Sequence, residues 1–158
     1  MAVDIFAKVG DIKGESKDAK HKDEIDVLSW TWGVSQTPGF AFGGGGGAGK
    51  AEFQPLVFVH RIDKASPLLM KACATGQHLP TATITARKAG GGQQEYIVIK
   101  LTDVLVTGVS LSMTDDANSE VVELRFGKVD YEYKPQKPNG TLEPGIHCIY
   151  DLKTNKAG

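Results

Sequence analysis

The chain has 158 residues, a hydrophobic share of 41% and a formal net charge of −1. That length lets one domain over residues 1–158 bury roughly 70% of the surface its unfolded form exposes, without disulfide or metal staples. The near-neutral charge excludes the cationic footprint of a nucleic-acid binder, no apolar run is long enough to span a membrane, and Cys73 and Cys148 are too few and too distant for a disulfide framework or zinc ribbon.

The dominant period is two. Val3, Ile5, Ala7 and Val9 alternate with polar residues and predict a half-buried strand over 3–9. The segment Met1–Lys8 has no basic n-region or long apolar h-region, so no secretory signal peptide is read there. Residues 10–24 form a loop dense in Lys, Asp and Glu, long enough to suggest a contact role. Ile25–Gln36 reads as one strand, with Leu28, Trp30, Trp32 and Val34 on a core face and Ser29, Thr31, Gly33 and Ser35 opposite.

Pro38-Gly39 ends that strand, and a glycine run from Gly43 to Gly49 follows. Ala51–Ile62 returns to strand character, with Phe53, Val57 and Val59 on one side and Pro55 at an edge or bulge. One helix is predicted from about Pro67 to Thr75. Ser66 supplies the N-cap oxygen, Gly76 the C′ position, and Leu68, Leu69, Ala72 and Cys73 the buried stripe.

Thr81–Lys88 alternates Ala82, Ile84 and Ala86 against Thr and Arg, and Ala89–Gly92 makes a turn. Glu95–Thr107 is β-branched on both faces and reads as central. In Val121–Tyr133 the apolar phase changes from even to odd at Gly127, which predicts one inserted residue at a bulge. Ile146, Cys148, Tyr150 and Leu152 alternate in a last strand. Many short strands with one helix and no α/β repeat predict a mainly β barrel or sandwich.

Little here points to catalysis. Gly44–Lys50 matches the spacing of a phosphate-binding loop up to its lysine, but Ala51 stands where a magnesium-binding Ser or Thr belongs. A strand also follows, where such a loop opens a helix. His21, His60, His78 and His147 show no metal-ligand spacing, so no metal or cofactor is expected. Asp115-Asp116 reads as a solvated turn, because its spacing is not that of a calcium loop. On the residues alone two functional readings stay open: an enzyme, through nucleotide binding at Gly44–Lys50 or a Cys-His pair that spacing cannot reveal, and a stand-alone ligand-binding barrel.

Several segments together resemble one family: Met1–Phe6, Gly10–Ser16, Ile25–Gly33, Gly43–Lys50, Ile62–Pro67 and Arg87–Gly91. The chain resembles the haemolysin-coregulated proteins, Hcp, of the bacterial type VI secretion system, over nearly its whole length. It departs near the end, where Ile149-Tyr150-Asp151 stands in place of a Gly-Trp-Asp or Gly-Trp-Asn.

The resemblance implies a two-sheet β-barrel flanked by one helix, without enzymatic activity. It implies a homohexameric ring that stacks into a tube inside a sheath and under a spike, carries small effector proteins in its lumen, and passes from the bacterial cytoplasm to the outside. On that reading Ser29 and Thr31, opposite the tryptophans, are expected to face the lumen. The charged loop with Lys13, Lys17, Asp18, Lys20 and His21 is expected to reach a neighbouring ring or subunit.

Overall fold

The computed structural model describes residues 2–38, 48–88 and 92–158. Among the described residues there are ten strands and one helix. In chain order they are β1 (Val3–Val9), β2 (Ile25–Thr31), β3 (Val34–Pro38), β4 (Ala48–Phe53), β5 (Leu56–His60), α1 (Ser66–Thr75), β6 (His78–Lys88), β7 (Glu95–Met113), β8 (Asn118–Tyr133), β9 (Ile146–Asp151) and β10 (Lys156–Ala157). The order β8-β5-β2-β1-β6-β7, with β7 paired back to β8, closes a six-stranded barrel. β9 and β10 extend from β8, and β3 with β4 makes a separate two-stranded sheet. No helix among the described residues is long and apolar enough to cross a membrane.

The barrel is filled by its own side chains. Phe58, Leu56, Ile25, Ile84, Ile99, Leu101 and Leu124 are completely buried, and α1 adds Leu69 and Ala72. A packed interior leaves no room for an apolar ligand, and the cavities found among the described residues are open surface hollows. The ligand-binding barrel therefore gets no support from the fold.

Two predicted strands change. The single strand Ile25–Gln36 is two, because the chain leaves the barrel after Thr31 and turns through Trp32-Gly33 into β3. Within β2 the register shifts between Val27 and Ser29, so Leu28 is the extra residue of a bulge. Ile25 and Val27 point inward before it and Trp30 after it, leaving Leu28 51% exposed; Val34, off the barrel, is also exposed. In the Ala51–Ile62 segment the break at Gln54-Pro55 resets the phase. Leu56, Phe58 and His60 are buried, while Val57 and Val59 take the outer face.

The switch on β8 has a different origin from an inserted residue. Thr102 pairs with Lys128 and Val104 with Phe126, so the register is the same on both sides of Gly127. β7 reverses with its partner: Ile99 and Leu101 are inward with Val129, then Val104 and Val106 with Val122 and Leu124. Asp103 takes a left-handed φ of 55° at the reversal. The register sets Gly127 opposite it, where an added Cβ would sit 3.3 Å from the Cβ of Asp103. The one inserted residue lies on β7, at Thr107.

α1 ends as its sequence predicts, with Gly76 left-handed at φ 63° and the Gln77 amide donating to the Ala72 carbonyl at 3.0 Å. Its start differs. Ala65 is the N-cap residue, and Ser66 Oγ instead accepts the Asp63 amide at 3.0 Å. Leu68, placed on the buried stripe by spacing, is exposed.

The face assignments can be tested by truncation. Phe58→Ala should cost about 3–5 kcal/mol, and Leu28→Ala less than about 0.5 kcal/mol, measured by urea denaturation of dilute protein. Equal losses would mean that the bulge does not turn Leu28 outward.

Candidate functional site

Two surfaces gather the residues singled out for assembly. The first is an outer face of the barrel wall. Directly paired residues project to the same side, so register alone builds it. One row runs Ser29–Val59–Val121–Ser110 across β2, β5, β8 and β7, and the next runs Thr31–Val57–Glu123–Gly108. Ser29 and Thr31 are both exposed on it. The bulge at Leu28 puts them there, since it turns Trp30 between them toward the core. An added Cβ at Gly108 would lie 2.8 Å from Glu123 Oε2, so the glycine lets that carboxylate lie against the wall. These two rows are made of hydroxyls and short apolar groups, with Glu123 their one charge; Arg125 follows on the same side of β8.

The second surface is the 10–24 segment, which is a strap rather than a free loop. Its two limbs bond to each other: the Gly14 amide donates to the Asp23 carbonyl at 2.8 Å, and the Ser16 amide to the Glu24 carbonyl at 3.0 Å. A Cβ at Gly14 would come within 2.6 Å of the Glu24 carbonyl oxygen, so glycine is required where the limbs meet. The Glu15 carboxylate accepts the Lys64 amide at 2.8 Å, joining the strap to the turn before α1.

The strap lies over the outer side of β1 and β6 and buries what alternation would leave exposed there. The Arg87 side chain is only 2% exposed. Its guanidinium holds Asp4 through Nε and Nη2, both at 3.3 Å, and Asp18 bidentately, with Nη1 to Oδ2 at 2.9 Å. It also lies 4.9 Å from the centre of the Phe6 ring. His21 stacks on Phe6 with centroids 4.3 Å apart, and its ring nitrogens meet Glu24 at 2.9 Å and Glu95 at 2.7 Å.

The Arg87 hydrogen bond pulls the Asp18 carboxyl down to about 2, aided by the Lys20 and His21 amides. The same pair raises Arg87 above its ordinary value. Asp26 moves the other way, pushed up by burial and then by the Asp18 and Asp4 charges.

The predicted loop residues therefore divide. Lys13, Lys17 and Lys20 stand exposed on the strap, whereas Asp18 and His21 turn beneath it and hold the subunit together. Nothing in the spacing of the strap distinguishes the two sets, because their partners Arg87 and Glu95 are distant in sequence.

Sequence reasoning also missed two groups. Trp32, Phe53, Phe126, Tyr131 and Tyr150 form an aromatic cluster, with Phe53 and Tyr150 centroids 5.1 Å apart, that fixes the base of the β3–β4 hairpin over β8 and β9. His60 and Glu120, both fully buried, meet at 2.7 Å, and burial pushes the neighbouring Asp63 carboxyl up. The register pairs His60 with Glu120, but no local motif announces it.

The glycine run up to Gly47 and the turn residues 89–91 lie outside the described residues. The chain after the run, Ala48–Phe53, is a strand and not the helix that a phosphate loop requires. Among the described residues, no group of three or more His, Cys, Asp or Glu could hold a metal ion.

Comparison with known proteins agrees with this architecture. Residues 6–133 match the sequence model of the family described as "Type VI secretion system effector, Hcp". A curated relative, Protein hcp1 of Pseudomonas aeruginosa, is 52% identical over 148 residues, covering 92% of this chain and 91% of the relative. Among solved structures, Hcp1 from Salmonella typhimurium superposes with a TM-score of 0.83 at 42% identity over the whole of both chains. A structure described as a type six secretion system protein reaches 0.91 at 30% identity, covering 99% of this chain and all of the other.

The Asp18–Arg87 pair gives the strap an acid-side dependence. A lowered carboxyl stabilises above its unfolded value of 3.8 and loses that contribution as pH falls through about 2. Asp18→Asn should lower the urea midpoint at neutral pH, and the gap from the unmodified protein should narrow over that acid range. A gap that stays constant down to about pH 2 would place the strap's stability elsewhere.

Proposed function

The chain belongs to the Hcp family of type VI secretion effectors, and on that footing we propose that it is a non-catalytic tube subunit that closes into hexameric rings. The rings stack end to end, pass through the secretion apparatus and carry small effector proteins in the lumen. Its partners are copies of itself, the sheath and spike of the apparatus, and the cargo.

One observation carries the reading of the lumen: the small-residue face built from Ser29 and Thr31 outward. A conduit wall must let cargo lie close without binding it irreversibly. Short hydroxyl and methyl groups do this because they lose little side-chain entropy on contact and place few charges to be desolvated. A ring with one rotation axis forms from different patches on the two sides of each subunit, a heterologous contact that closes by rotation.

Stacking falls to the strap. Lys13, Lys17 and Lys20 project from a turn fastened below by Asp18 and His21, so the cations are presented by an ordered segment. Contacts of this kind are screened by salt and favour reversible association.

The ring is tested by solution mass. Six copies of the 16.9 kDa chain give about 101 kDa by light scattering after gel filtration; a monomer at all concentrations would remove the proposal. Thr31→Arg should keep that mass and reduce co-purification of a small effector at least severalfold. Unchanged retention would move the lumen face elsewhere. Lys13, Lys17 and Lys20 changed together to alanine should shorten tubes while leaving single rings intact.

A further inference from the structure

β9 is held to the barrel on one side only. β8 residues 128–133 pair with it along its length, but on its outer edge β10 covers only Tyr150 and Asp151, and the Gly158 amide reaches the Ile149 carbonyl. Among the described residues, nothing pairs with the outer backbone of Ile146–Cys148. The far end of the strand is anchored by the Tyr150 ring on Phe53, whereas Ile146 at the near end is 66% exposed.

The side chain tying down that near end is His147. Its Nδ1 lies 2.7 Å from Asp130 Oδ1 and its Nε2 3.1 Å from Glu132 Oε2, both carboxylates on β8. A neutral imidazole has one N–H and can satisfy one of them; an imidazolium donates to both. Glu132 lies across Gly145, where any added Cβ would collide with its carboxylate. By register the other charged residues on this face are Lys100 of β7, paired with Asp130, and the Lys128–Asp151 pair of β8 and β9. When the ring loses its proton, one nitrogen presents a lone pair to a carboxylate, and the two acidic groups lose the cation that bridged them.

We propose that His147 is a proton-dependent clip: charged, it fastens the free half of β9 to β8, and neutral, it lets residues 146–148 fray from the barrel. The hydrogen bond to Asp130 raises His147 above its ordinary 6.5, with the Asp130 and Glu132 charges acting in the same direction against desolvation. A raised histidine stabilises fully below its unfolded value and loses that contribution as pH rises through its folded value. The strand is thus clipped on the acid side and loosens on the alkaline side. The consequence for assembly rests on the ring reading: a subunit edge that frays changes the surface it offers to another copy.

Residue-resolved amide exchange, corrected for intrinsic rates, tests the clip between about pH 5.5 and about pH 8.5, a range that brackets histidine titration. Protection at the Ile146 and Cys148 amides, which alternate toward β8, should fall severalfold with rising pH, while Tyr150 stays protected. In His147→Gln, and in the Asp130→Asn, Glu132→Gln double variant, protection should be low and flat. Flat exchange in the unmodified protein, or an unaltered pH response in both variants, overturns the clip. Site resolution separates this signal from His21, which lies between Glu24 and Glu95 under the strap. Light scattering on the same samples keeps the two readings distinct. Monomers with pH-dependent exchange retain the clip and remove the ring, and rings with flat exchange do the reverse.

Discussion

The pairing of β7 with β8 is the contact from which the other surfaces take their position. It runs almost the full length of strands of 19 and 16 residues. One part closes the barrel and so removes two sheet edges that would otherwise invite uncontrolled pairing. The part toward the hairpin turn brings Ser110 and Gly108 into line with Ser29 and Thr31, and the opposite end of β8 supports β9. Strict alternation would force one face inward from end to end. The joint reversal at Asp103 and Gly127 removes that limit without shifting the register. One backbone accepts a left-handed conformation, and the other carries no Cβ to meet it.

A buried charge organises the opposite side of the barrel. An arginine shielded from water is tolerated only when carboxylates compensate it, and removing one partner leaves an uncompensated charge in a poorly solvated site. Arg87 on β6 takes one carboxylate from β1 and one from the strap, so the ion cluster places the strap relative to the barrel. Phe6 adds an apolar floor shared by the guanidinium and the His21 ring. The lysines above are consequently displayed by a segment with fixed geometry, which suits the stacking contact proposed for them.

These two sides divide the proposed work of the subunit. On the proposed reading the wall of short side chains limits attachment of cargo, and the strap presents charge. The aromatic cluster fixes the β3–β4 hairpin to β8 and β9 by seating Trp32 and Phe53 against Phe126, Tyr131 and Tyr150. Tyr150 comes from the last long strand, β9. Its ring closes the cluster against Phe53.

Local pattern was enough for much of this protein. Period-two alternation identified β1, β6 and the mainly β class, Pro67 and Gly76 bounded α1, and ordered motifs along the chain pointed to the family. The exposed placement of Ser29 and Thr31 opposite Trp30 also followed from alternation. Tertiary structure decided what alternation cannot encode. The bulge at Leu28, the paired reversal at Asp103 and Gly127, and the break at Pro55 each depend on a partner strand. So do the burial of Arg87, Asp18 and His21 and the meeting of His60 with Glu120, because ion pairs form between residues that only the closed barrel brings within reach. Side-chain periodicity is written in neighbouring residues, whereas register and charge compensation are properties of chains folded against each other.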